Sequence, residues 1–181
     1  MSKKKFYIIL ILFIIFLILK ISQLISRKSR VVEASQYLSK IENQKKYTAF
    51  VTDVINGNTL KIKYTEETPE NHKTEETVFM IGTNIPSATD KEKIYFIQAK
   101  LFTNKYLSGN NIEILLSDNN SSNKNGLNVF VYHEGYLFNK ILIETGNALY
   151  NPNQKFDREL MNLFHQAEKY SKKNNKGRWK K

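Results

Sequence analysis

The chain has 181 residues, no cysteine and a formal net charge of +11. The lack of cysteine excludes disulfides, thiol catalysis and thiolate metal sites. Residues 1–46 carry ten basic and two acidic residues, a net charge of +8, whereas residues 47–181 carry eighteen and fifteen, a net charge of +3. Most of the excess positive charge therefore flanks an apolar N-terminal segment, where it is typical of membrane topology.

The N-terminal segment predicts a membrane anchor. Residues 6–19 are uninterrupted apolar sequence, and residues 21–25 extend the run past Lys20 to a length that can span a bilayer as one helix. No small-residue cleavage site follows, so residues 1–25 are predicted to stay attached as a single-pass anchor; if they were cleaved, the domain would be secreted. We expect the domain to lie outside the cytoplasm and residues 26–46 to form a polar helical stalk.

Residues 47–181 are predicted to form one α+β domain. Alternating β-formers predict strands over residues 47–54, 60–64, 77–81, 111–116 and 127–132. Helical spacing predicts helices over residues 91–107, 137–145 and 156–175. The order of these elements predicts a five-stranded OB-type Greek-key β-barrel with three packed helices.

Local signals refine this prediction. Asn56-Gly57-Asn58 supplies the chemistry of a hairpin turn and permits positive φ. Five residues of the first helix are predicted to face the core: Ile94, Ala99, Leu101, Phe102 and Tyr106. The third helix is predicted to bury Leu160, Leu163, Phe164 and Ala167.

The chain resembles the thermonuclease, or staphylococcal nuclease-like, family. The resemblance rests on five segments in order: V-I-N-G-N-T-L at 54–60, F-M-I-G-T-N-I-P-S at 79–87, G-L-N-V-F-V-Y at 126–132 with Gly135 and Asn139, Y-N-P-N at 150–153, and A-E…G-R-W at 167–179. It covers roughly residues 47–179. It implies an OB-type domain whose relatives hydrolyse phosphodiester bonds with Ca²⁺, a glutamate and two arginines.

The same resemblance implies that this chain lacks the charged groups of that reaction. The family's metal-binding aspartates fall on Asn58 and Asn84, and a nearby turn aspartate falls on Asn56. The glutamate falls on Ser87, and the two arginines fall on Phe79 and Gly126. No metal or other cofactor is therefore expected. Three carboxylates could act as substitutes: Asp53, Asp90 and Glu92. Asp90 and Glu92 have the alternative role of favouring a helix N-terminus.

Aromatic and basic residues are the candidates for binding. Tyr150 matches a family tyrosine that lines the nucleotide pocket, and Tyr132 lies on a predicted strand of a fold that stacks bases on aromatic rings. Lys172, Lys173 and Arg178 belong to a basic C-terminal run. That run indicates either phosphate binding or a helix end that complements its own dipole.

Three functions follow from these observations. The leading hypothesis is a membrane-anchored, catalytically inactive domain that binds nucleic acid or an envelope protein. The alternative is a divergent Ca²⁺-dependent endonuclease that uses displaced carboxylates. The third is a structural envelope component. The sequence leaves the partner and the oligomeric state open.

Overall fold

A computed structural model describes residue 20 and residues 44–89, 92–117 and 126–180. The chain divides into two units, Met1–Gln44 and Lys45–Lys181, and the second contains the domain described below. No helix among the described residues is long and apolar enough to cross a membrane. Apart from Lys20, the predicted anchor over residues 6–25 lies outside the described residues.

The described residues of the domain form eight strands, three α-helices and a terminal 3₁₀ helix. In chain order they are β1 (Tyr47–Asn56), β2 (Thr59–Tyr64), β3 (Glu75–Met80), β4 (Thr83–Asn84), α1 (Lys93–Leu107), β5 (Asn111–Leu116), β6 (Leu127–His133), β7 (Tyr136–Leu137), α2 (Phe138–Glu144), β8 (Leu149–Tyr150), α3 (Arg158–Lys173) and the 3₁₀ helix Gly177–Trp179. The predicted strands and helices therefore form within a few residues of their expected bounds.

Five strands form a closed barrel in the order β3-β2-β1-β5-β6. Neighbouring strands are antiparallel, and the parallel pairing of β3 with β6, Val78 opposite Leu127, closes the barrel. The expected five-stranded barrel with three helices is confirmed, and β7 adds a short edge beside β6. Alternate residues point inward, as a barrel requires, and the core includes Ala49, Val51, Leu60, Ile62, Val78, Ile112, Ile114, Val129 and Val131.

The inward face of α1 differs from the prediction. Three of the five residues expected to face inward are exposed: Ile94, Leu101 and Tyr106. The buried side is instead formed by Ala99, Thr103 and Leu107. Apolar residues surround this helix, so periodicity alone does not select the face that packs. Small side chains select it, because they allow the β1–β2 turn to approach the helix closely.

Gly57 makes that close approach. A Cβ atom at Gly57 would lie 2.6 Å from the Cβ of Ala99. The Thr103 hydroxyl donates a hydrogen bond to the Gly57 carbonyl at 2.7 Å. None of residues 56–58 has a positive φ. The turn therefore does not use the positive φ that its sequence permits, and glycine is required here by the proximity of α1.

Helix α3 packs as predicted and covers one side of the barrel. Asp157 caps its first turn by accepting from the backbone nitrogens of Glu159 at 2.7 Å and Leu160 at 3.3 Å. Leu160, Phe164 and Ala167 are buried, and Leu163 is half-buried. A Cβ atom at Gly82 would lie 2.5 Å from the Phe164 ring, so the β3–β4 corner fits directly against this helix.

Asn139 on α2 fixes the same corner from the other side. Its amide nitrogen donates to the carbonyls of Ile81 at 2.9 Å and Val129 at 3.1 Å, and its oxygen accepts from the Val131 nitrogen at 2.8 Å. The side chain is fully buried, so each of these bonds satisfies a group that water does not reach. The β3–β4 corner, which carries one of the family site positions, is therefore held rigidly.

Candidate functional site

Asn58 lies in the β1–β2 turn and contacts the β3–β4 corner. Its backbone nitrogen donates to the Asn56 side chain at 2.9 Å, and its carbonyl accepts from the Met80 nitrogen at 2.8 Å. Its side-chain Nδ2 donates to both the carbonyl and the Oγ1 of Thr83, each at 3.1 Å. The amide therefore joins two loops of the barrel.

The partners of Asn58 settle which end of its amide faces Thr83. The Thr83 carbonyl can only accept, and the Thr83 hydroxyl gives its proton to the Met80 carbonyl at 2.5 Å. Two acceptors therefore face Asn58, and only the NH₂ end of the amide can satisfy both. A carboxylate has no proton to donate, so an aspartate at residue 58 would place negative charge against two oxygen atoms.

The other two family positions on this side do not complete a cluster. Asn84 follows Thr83 on β4 and is exposed. Ser87 is also exposed, and its hydroxyl lies 2.9 Å from that of Thr89. In the described part of the chain, no hydrogen bond joins Ser87 to Asn58 or Asn84. The structure thus brings Asn58 to the strand that carries Asn84, whereas the hydrogen bond of Ser87 is to Thr89.

The two positions that the resemblance assigns to arginines lie against each other. Phe79 on β3 is half-buried, and Gly126 precedes β6. A Cβ atom at Gly126 would lie 2.7 Å from the Phe79 ring and 2.3 Å from the Thr77 carbonyl oxygen. The backbone of Gly126 also has a φ of 143°. The Phe79 ring and the neighbouring strand therefore occupy the space that a side chain at residue 126 would need.

Of the candidate substitute carboxylates, the structure describes Asp53 and Glu92. Asp53 is exposed on β1 opposite Lys61. Glu92 accepts a hydrogen bond from the Arg178 guanidinium at 2.9 Å. Asp90 lies outside the described residues. No group of three or more His, Asp or Glu side chains within the described ranges could hold a metal ion. These residues do not fit the Ca²⁺ site that the family implies, because Ca²⁺ needs several converging oxygen ligands.

A groove beside α3 contains Tyr150, the aromatic candidate for binding. Its volume is about 440 Å³, and it is lined by Tyr150, Pro152, Met161, Asn162, His165 and Glu168. The rings of Tyr150 and His165 have centroids 6.1 Å apart and are tilted by 54°. Partial burial raises the pKa of the Tyr150 hydroxyl, which therefore stays protonated and can donate a hydrogen bond at neutral pH.

Glu168 links this groove to the basic end of α3. Its Oε1 accepts from the Tyr150 backbone nitrogen at 3.2 Å, and its Oε2 accepts from Lys172 Nζ at 2.8 Å. The structure therefore brings two predicted binding residues, Tyr150 and Lys172, to one side of the domain. Lys173 is exposed in the last turn of the same helix.

The sequence analysis did not select Met161, His165 or Glu168 as candidates. These three residues are spaced i, i+4 and i+7, which places them on one helical face. The spacing in the sequence could have shown that these residues share one face. It could not reveal a groove by itself, because the opposite wall comes from β8 and Pro152.

The remaining candidates lie elsewhere. Tyr132 is buried and lines a second hollow of about 320 Å³, which shares no residue with the groove. Lys46 Nζ lies 4.4 Å from the centroid of the Tyr132 ring. The Arg178 guanidinium packs 5.2 Å from the Tyr95 ring centroid and pairs with Glu92. Its side chain is only 16% exposed. The roles of Tyr132 and Arg178 in binding stay predictions.

A closed mixed barrel that carries its site positions at the β1–β2 turn and the β3–β4 corner defines a nuclease-like OB domain. The profile of the family described as staphylococcal nuclease homologue matches residues 61–181, more than half of the chain. The chain belongs to this family. The match begins after the Asn56-Gly57-Asn58 turn, so membership rests on the elements from β2 onward. No curated protein matched the sequence.

Proposed function

We propose that this domain binds single-stranded nucleic acid without cleaving it, and that residues 6–25 attach it to a membrane. The observation that carries the proposal is the orientation of the Asn58 amide, which donates to both acceptors on Thr83. A residue that serves as a hydrogen-bond donor at this point cannot also present the anionic oxygen that the family's metal requires. The position acts as a structural link between two loops.

The loss of catalysis follows from the neighbouring positions as well. Exposed Asn84 supplies at most a neutral oxygen, and Ser87 supplies no carboxylate. Phe79 and Gly126 supply no positive charge for a developing phosphate oxyanion. Removal of one preorganised electrostatic group commonly lowers kcat by about 10²–10³. These losses are not additive, yet the loss of every charged group leaves no basis for efficient cleavage.

The groove beside α3 supports the binding half of the proposal. Its volume of about 440 Å³ lies within the usual range for small-ligand sites. Tyr150 offers a ring for base stacking, which is worth about 1–3 kcal/mol per base in single-strand binding proteins. Lys169, Lys172 and Lys173 lie on the adjoining half of α3, where they can neutralise phosphates.

A binding experiment tests the proposal. The full chain in nanodiscs is titrated with a fluorescent oligothymidylate at several salt concentrations. We expect salt-sensitive binding that Tyr150→Ala weakens by about tenfold or more. Tyr136→Ala is the matched control, because Tyr136 is 68% exposed and lies outside the groove. Equal affinities for both variants, or an absence of binding, would contradict the proposal and favour a structural role.

A cleavage experiment tests the proposal that the domain does not cleave the nucleic acid it binds. The same oligonucleotide is incubated with the full chain in Ca²⁺ or in chelator, and its length is followed by electrophoresis. We expect no Ca²⁺-dependent cleavage. Cleavage that stops in chelator and in Glu92→Ala or Asp90→Ala would establish the divergent nuclease instead.

A further inference from the structure

The outward face of α1 carries large apolar residues that the described part of the domain leaves exposed. Ile94 is 60% exposed, Ile97 44% and Leu101 62%. Their spacing of i, i+3 and i+7 places them on one stripe, opposite the buried side formed by Ala99, Thr103 and Leu107. Isolated exposed apolar residues are common on protein surfaces, but three on one helical stripe indicate a contact surface.

The charges of α1 indicate what this stripe contacts. The helix contains Lys93, Lys100 and Lys105 and no acidic residue. At 100° per residue, Lys93 and Lys105 flank the apolar stripe on its two sides. Glu92, which precedes the helix, already pairs with Arg178. An apolar stripe between lysines offers both apolar area and positive charge to the surface of an anionic lipid bilayer.

The predicted anchor places such a surface within reach. Residues 26–44 separate the predicted membrane segment from the domain. Nineteen residues span about 30 Å as a helix and about 65 Å when fully extended. A domain of this size has a radius of gyration of about 14 Å. The inference rests on the membrane attachment proposed above, which would tether the domain to a bilayer, where a high effective concentration makes weak contacts sufficient.

We propose that α1 is a second membrane contact, in which Ile94, Ile97 and Leu101 enter the interface of an anionic bilayer and the three lysines meet lipid phosphates. The contact would fix the orientation of the anchored domain on the surface. It does not depend on nucleic-acid binding, because it uses a different helix from the Tyr150 groove.

The lack of native cysteine permits a direct test with one label. Leu101→Cys in the full chain is labelled with an environment-sensitive fluorophore and placed in nanodiscs of phosphatidylcholine, alone or mixed with phosphatidylglycerol. We expect a blue shift and about threefold or greater protection from an aqueous quencher only in the anionic discs. The matched control is Gln166→Cys, an exposed position on α3 that should remain equally accessible in both discs.

Charge reversal provides the second variant. Lys93→Glu, Lys100→Glu and Lys105→Glu together should remove the protection of the Leu101→Cys label, because each added acid repels anionic headgroups. Three outcomes would overturn the proposal: a Leu101→Cys label as accessible as the Gln166→Cys label in anionic discs, protection that neutral discs give equally, or protection that appears only with two chains per disc. The last outcome would identify a second copy of the chain as the partner.

Discussion

The β1–β2 turn and the α3 groove contain similar side chains, yet they differ in how their groups are used. At the turn, the Asn58 amide donates its hydrogen bonds to Thr83. On the neighbouring strands, the Phe79 ring fills the space beside Gly126. At the groove, the rings of Tyr150 and His165 border an open volume. The difference shows that residue type does not define a site. A polar or aromatic group is available to a ligand only when the protein has not already satisfied it.

The largest expected effect tests whether Thr77 and Phe79 leave no space for a side chain at residue 126. Gly126→Ala should lower the free energy of unfolding by about 3 kcal/mol or more, because its Cβ would meet the Thr77 carbonyl. Gly135→Ala is the control, since Gly135 has a φ of +79° but no heavy atom near an added Cβ. We expect the control to lose about 1 kcal/mol. Urea unfolding measures both, and equal losses would show that space is not limiting at residue 126.

Asn58→Asp tests the donor role of the amide. The variant should lose about 1–3 kcal/mol at pH 7, because a carboxylate cannot donate to Thr83. A protonated carboxyl can donate, so folding raises the pKa of this Asp, and the loss should shrink as the pH falls toward the ordinary Asp pKa of about 3.9. Asn84→Asp, at an exposed position, should change stability by no more than about 0.5 kcal/mol. Stabilisation of Asn58→Asp by Ca²⁺ would show instead that a metal site survives there.

Glu168→Gln tests whether the negative charge beside the groove limits its affinity for nucleic acid. The substitution removes a negative charge beside Tyr150 and releases Lys172 from its ion pair. We expect the affinity for oligothymidylate to rise by about two- to fivefold and its salt dependence to steepen. Glu159→Gln, at the other end of α3, is the control and should leave the affinity unchanged. A rise of the same size in both variants would mean that net charge alone, and not the groove, sets the affinity.

The smallest effect concerns Tyr64, which lies in the barrel wall away from both regions. Burial, and then the neighbouring Glu76, raise the pKa of its hydroxyl above the ordinary value of 10.0. The folded state therefore retains this proton more strongly than the unfolded state. The stability it contributes is present below pH 10 and is lost as the pH rises further. Tyr64→Phe should flatten that decline in alkaline urea titrations, whereas Tyr136→Phe, at an exposed site, should not.

The sequence was sufficient to predict the barrel because the strands alternate clearly and strong turn signals separate them. It was not sufficient for α1, where apolar residues surround the helix and the contact with Gly57 selects the buried side. It also could not pair His165 with Tyr150, because those residues meet only after α3 packs beside β8. The position of Asn58 was predicted from the resemblance, but its bonds to Thr83 depend on the β3–β4 corner.

The parallel pairing of β3 with β6 has a consequence for the order of folding. The hairpin of β1 and β2 and the following β3 can pair locally as they leave the ribosome, but the barrel cannot close until β6 has been made. Until then β3 keeps an unpaired edge, which is a template for pairing with other chains. Such nonlocal closure also slows folding. If the N-terminal segment enters a membrane first, nascent chains held close together would be exposed to intermolecular strand exchange during this interval.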